Sequence, residues 1–179
     1  VPRRPGSNML GDYNKGEHHV WLGPDCAISK DGFLSPSPVI YVPSGASLDK
    51  RVSYTPTDDD TFLEIASTVF QYLPQVNTPE VILPILGWFF ATPMKASFMK
   101  AVGSFPTLFV WGTQGSGKSS LCIDIMWPLF GVRDAEPYSA TETEFALLKL
   151  LSSTRSVPVF IDEYKPYDMQ RQRLNTLHR

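Results

Sequence analysis

The chain has 179 residues, 42% apolar and 19% charged. That is enough for one ordinary packed domain and excludes wholesale disorder. Its 16 Lys and Arg against 18 Asp and Glu leave a net charge of −2, which excludes a polybasic protein acting by bulk charge but allows a local nucleic-acid patch.

Two cysteines, Cys26 and Cys122, have no metal or disulfide spacing around them, so a reducing, cytoplasmic setting is expected. Of the three histidines, His18 and His19 read as an exposed pair, and His178 lies far from both. The basic start is not followed by an apolar stretch, so no secretory leader and no membrane are expected. The chain begins without Met and is expected to be a piece of something longer.

Residues 1–60 are proline-rich and lack helical periodicity. Short strands are predicted around His19-Val-Trp-Leu, Ala27-Ile-Ser and Val39-Ile-Tyr-Val, with an Asp31-Gly32 turn signal. This is a β-rich, irregular N-terminal segment.

Residues 61–104 form a helical linker or lid segment. Thr61-x-x-Glu64 reads as a capping box, and Phe62, Ile65, Ala66, Val69, Phe70 and Leu73 then recur at helical spacing up to Pro74. Asp58, Asp59 and Asp60 favour the helix dipole. Thr78-Pro79 starts a second helix, which Pro84 interrupts. Thr92-Pro93 starts a third, ending near Gly103. The uncharged run 81–94 is too short to span a bilayer and reads as a buried helix. Its Trp88-Phe89-Phe90 cluster reads as a packing face.

Residues 105–179 carry the chemistry. The apolar run 107–111 predicts a strand, and it leads into GTQGSGKS at residues 112–119. That run fits the phosphate-loop pattern G-x-x-x-x-G-K-[ST] in full. Glycines let successive N–H groups turn toward phosphate without a Cβ in the way. The helix beginning at Lys118 aims its positive dipole end at the same point. Candidate nucleotide ligands are Gly112, Thr113, Gln114, Gly115, Ser116, Gly117, Lys118, Ser119 and Ser120. Lys118 reaches the β/γ-phosphates and is expected to be solvated in the empty site. Ser119 offers its hydroxyl to Mg²⁺.

A helix is predicted to open at a second box, Thr141-x-x-Glu144, and to run to about Leu151. The apolar strand 157–161 ends in Asp162-Glu163, the form of a Walker B element. Asp162 would hold Mg²⁺, and Glu163 would activate the attacking water.

WGTQGSGKSS (111–120), SATETEFALLKLL (139–151) and VPVFIDEYKP (157–166) together resemble the ATPase core of primase-helicase-like proteins of phages, plasmids and mobile elements. That group lies in the catalytic-glutamate division of P-loop ATPases, close to AAA+ proteins. The resemblance covers roughly residues 60–166. It implies an α/β fold with part of a P-loop core, a parallel sheet flanked by helices, in which 105–179 form the N-terminal half of the ATPase domain. It implies ATP and Mg²⁺ as cofactors, DNA unwinding or translocation, and a homo-oligomeric ring. A switch or remodeller acting on proteins is the alternative.

The family pattern also places a further strand between the phosphate-loop strand and the acidic strand, and that strand comes later in sequence. A gap between 107–111 and 157–161 is therefore expected, with the chain appearing truncated after the acidic motif. Arg171, Arg173 and Arg179 match an arginine finger only nominally.

Overall fold

The computed structural model describes residues 3–16, 18–45, 47–133 and 136–164. Arg171, Arg173, His178 and Arg179 lie outside the described residues.

The architecture is mixed α/β. Near the N-terminus β1 (Gly6–Ser7) pairs in parallel with β6 (Ile40–Tyr41). Between them β2 (Gly11–Lys15), β3 (His18–Leu22), β4 (Ala27–Ser29) and β5 (Gly32–Leu34) form an antiparallel meander. Strand β3 sends Val20 and Leu22 into the core at the two-residue strand period. Ser29 faces Gly32 across the Lys30-Asp31 turn. The polar β2 carries no alternation. It is a strand because all five of its residues pair with β3, and such pairing overrides weak propensity.

This segment is stitched into the rest of the molecule. The Leu10 N–H donates to the Ser153 carbonyl at 2.8 Å, and the Arg155 N–H donates to the Leu10 carbonyl at 3.0 Å. The Ser53 N–H donates to the Gly131 carbonyl at 2.9 Å. Gly131 has φ 74°, and a Cβ there would stand 2.6 Å from the Ser53 carbonyl oxygen. Only glycine fits such a close approach of two backbones. One hydrophobic cluster accordingly draws Leu10 and Leu22, Ile82 and Phe89, and Met126 and Trp127 together.

Helix α1 (Asp59–Tyr72) is capped by Asp58, not Thr61. The Asp58 carboxylate accepts from the Thr61 N–H and from the Thr61 hydroxyl, both at 2.8 Å. Asp59 and Asp60 fill the first turn. The predicted apolar stripe is seated only in part: no α1 residue is buried, while Val69 packs half-buried against the core.

Helix α2 (Pro79–Ala91) begins after Thr78, keeps Pro84 inside it, and buries Ile82, Ile85, Leu86 and Phe89. The aromatic cluster divides its work. Phe89 is buried, the Trp88 indole N–H donates to the Pro106 carbonyl at 2.7 Å, and Phe90 stacks on Phe70 at 5.5 Å. A 3₁₀ turn at Thr92–Met94 leads into α3 (Lys95–Val102), which Gly103 ends at φ 81°. Because the helix continues past Pro93, Pro79–Val102 is long and apolar enough to cross a membrane by length and composition. The run 81–94 by itself is too short, and the continuation through α3 supplies the extra length.

The phosphate-loop helix begins as α4 (Lys118–Ser120), widens to a π-helix over Leu121–Met126, and closes as α5 (Trp127–Leu129). Then come β7 (Tyr138–Ser139), α6 (Glu144–Ser152) and β8 (Ile161–Asp162). Thr143, not Thr141, caps α6, accepting from the Ala146 N–H at 3.2 Å. Strands β7 and β8 pair in parallel. The predicted strand 107–111 has no strand partner among the described residues, so the expected parallel sheet is reduced here to the β7–β8 pair. A strand needs a neighbour about 4.8 Å away to hydrogen-bond, and between 107–111 and 158–161 there is a cavity instead.

Candidate nucleotide-binding site

The phosphate loop folds as its glycines dictate. Gly115 and Gly117 have φ 79° and 80°, in the left-handed region that favours glycine. Gly117 is the N-cap of α4, and its carbonyl accepts the Leu121 N–H at 2.9 Å.

Lys118 is half-buried, and its ammonium is held by its own loop. Its ammonium donates to the Gly112 carbonyl at 3.0 Å, the Thr113 carbonyl at 2.7 Å and the Ser116 hydroxyl at 3.2 Å. The loop has closed around its own cation, whose three donors are met by loop oxygens.

A cavity of about 430 Å³ lies between residues 107–111 and 158–164. Lys118, Ser119, Asp162 and Glu163 line it together. The loop residues Gly112, Thr113, Gln114, Gly115, Ser116 and Gly117, and also Ser120, are exposed and stand outside this lining. The rest of the wall is largely aromatic and aliphatic, from Trp88 and Phe89 to Val159 and Phe160. Phe109 and Tyr164 meet across it with ring centroids 5.5 Å apart. Trp111, next to the loop, is 90% exposed.

Two anchors hold the halves of the site in place. The buried Trp127 donates its indole N–H to the Pro158 carbonyl at 3.0 Å, joining the phosphate-loop helix to the acidic segment. Below the loop, burial first and the Asp162 charge second push the Cys122 thiol up to about 11. Cys122 and Asp162 line the same cavity. Local sequence carries no signal for the Trp127–Pro158 bond, because the two partners lie 31 residues apart.

Glu163 is the one non-glycine residue at positive φ among the described residues, at 59°. Its N–H donates to the Asp162 carboxylate at 2.8 Å. Strained backbone of this kind costs of order 1–3 kcal/mol and concentrates at functional sites.

Ser119 and Asp162 supply hard oxygen donors on one cavity, which fits Mg²⁺. No group of three or more His, Cys, Asp or Glu converges among the described residues, so further ligands to such an ion would be phosphate oxygens and water.

No protein-family model, curated protein or solved structure matches the chain.

Proposed function

We propose that this chain binds ATP with Mg²⁺ through a P-loop core and hydrolyses it, as part of a motor that unwinds or translocates DNA. The observation that carries the ATPase reading is the shared cavity. Lys118 and Ser119 come from one motif, Asp162 and Glu163 from another, and all four line it. The DNA part rests on the resemblance of the three motif stretches to primase-helicase-like ATPases.

In this reading the phosphates replace the Gly112 and Thr113 carbonyls as partners of Lys118. The loop amides and the helix N-terminus hold the same charge. Ser119 and Asp162 hold the cation, which when bound would neutralise phosphate charge. Glu163 accepts the proton of the water that attacks the γ-phosphorus, and ADP leaves with the broken P–O bond. The strained Glu163 backbone supports that role, since a tertiary structure maintains such a conformation at a cost.

ATP titration followed by turnover assays with and without single-stranded DNA tests both parts. DNA-stimulated turnover supports the motor. Turnover indifferent to DNA supports a remodeller of proteins, a reading the net charge of −2 favours. Absence of ATP binding ends both.

A further inference from the structure

The phosphate loop binds itself. The Lys118 ammonium donates to the Gly112 carbonyl, the Thr113 carbonyl and the Ser116 hydroxyl at 3.0, 2.7 and 3.2 Å. An ammonium has three protons to give, and the loop accepts all of them. The Thr113 carbonyl also accepts the Ser116 N–H at 3.4 Å, so an amide that a phosphate cradle would offer is turned to the loop. Gly112 makes room for this arrangement. A Cβ there would stand 3.3 Å from the Ser116 hydroxyl and 3.8 Å from Lys118 Cδ. The hydroxyl and the lysine stem therefore lie across the bare face of the glycine.

This closed form suits a cation, not an anion. Two carbonyl oxygens and a hydroxyl oxygen converge on the ammonium. An anion cradle presents the reverse, N–H groups turned inward. Oxygens that face an incoming phosphate repel it, so the ammonium must let go of them before phosphate is held. Two of the three acceptors are backbone carbonyls, which any sequence would supply. Ser116 alone acts through its side chain, at a position the phosphate-loop pattern leaves free.

Resting on the ATP reading, we propose that Ser116 is a positioning residue that gates the loop. Its hydroxyl helps hold Lys118 in the closed form, and nucleotide binds the fraction of molecules in which this clasp is open. The observed affinity is lowered by that fraction. The Ser116 hydroxyl thus works against binding, while its N–H works for binding once turned inward. Gly112, Thr113 and Ser116 are exposed, so water competes for the same groups and the gate is worth a modest factor.

Isothermal titration of the full chain with ATP and Mg²⁺ tests the gate. Ser116→Ala should bind ATP about threefold to tenfold more tightly than the wild type, the effect of removing one screened bond to a charged group. Ser116→Thr keeps the hydroxyl and should bind as the wild type does. A hydroxyl that contacted phosphate directly would give the opposite sign. A second readout needs no nucleotide. By ¹⁵N NMR the Lys118 ammonium protons should exchange with water more slowly than those of exposed Lys100, and Ser116→Ala should quicken that exchange. Unchanged or weaker ATP binding in Ser116→Ala would overturn the gate. So would Lys118 protons that exchange as fast as those of Lys100. Slow Lys118 exchange in a chain that binds no ATP, in the wild type and Ser116→Ala alike, would end the ATP reading and the gate with it.

Discussion

The Trp127 indole N–H donates to the Pro158 carbonyl at 3.0 Å, in surroundings where Trp127 is 1% exposed. This bond crosses from the end of the phosphate-loop helix to the start of the acidic segment. The Trp127 backbone N–H reaches the Cys122 carbonyl, a five-residue span that widens the helix just before the indole. Trp127→Phe keeps the ring's bulk but leaves the carbonyl without its donor. An unsatisfied buried acceptor costs about 1–3 kcal/mol, so urea unfolding should show a lower midpoint with an unchanged slope. An unchanged midpoint would mean that the bond does not anchor the two halves.

Lys118 carries two roles, and one substitution exposes both. Lys118→Ala should abolish measurable ATP binding by isothermal titration. It should also free the Gly112 and Thr113 carbonyls that the ammonium now meets, so proteolysis within the loop should quicken even without nucleotide. Wild-type ATP affinity in the variant would remove Lys118 from the site.

Glu163 separates chemistry from conformation. Glu163→Gln should bind ATP and turn it over about 10²–10⁴-fold more slowly, the usual worth of general-base assistance. Glu163→Gly should lose turnover as well, yet gain stability of about 1 kcal/mol by relieving the positive φ. A destabilised glycine variant would show that the side chain, not the backbone, holds this corner.

The cavity between 107–111 and 158–164 predicts slow catalysis by the 179-residue chain. Residues 107–111 have no strand partner among the described residues, β8 pairs only with β7, and Trp111 projects at 90% exposure. With that cavity unfilled, the tie between the loop helix and the acidic segment runs through the Trp127–Pro158 hydrogen bond and not through a continuous sheet. Turnover should stay near background even where nucleotide binds. A rate of about 1 s⁻¹ or faster, typical of competent enzymes, would disprove this.

Cys122 reports on Asp162. Burial and then the Asp162 charge push its thiol up from 9.0 to about 11. The neutral form is the one the fold favours. This group's contribution to stability is therefore full below about pH 9 and is lost as pH rises toward 11. Alkylation of Cys122 should be slow at neutral pH and accelerate only as the thiolate appears. Asp162→Asn should move that acceleration to lower pH. Rapid labelling at pH 7 would contradict the buried, protonated thiol.

Several features of this molecule follow from its local sequence. Gly117-Lys118 opens the loop helix, Thr78-Pro79 opens α2, Gly103 closes α3, and Lys30-Asp31 turns between β4 and β5 with Gly32 starting β5 at positive φ, because each depends on φ preferences and donors within a few residues. The caps were displaced by two or three residues, to Asp58 and Thr143, since neighbouring oxygens compete for the same N–H groups and local spacing does not choose between them. Tertiary structure alone decided what depended on distant partners. The polar β2 is a strand through β3, and Leu10 is tied to Ser153 and Arg155. Lys118 turned to its own loop carbonyls, and α1 left most of its apolar stripe exposed. Periodicity shows that a face is apolar, but whether anything lies against it depends on where the rest of the chain goes.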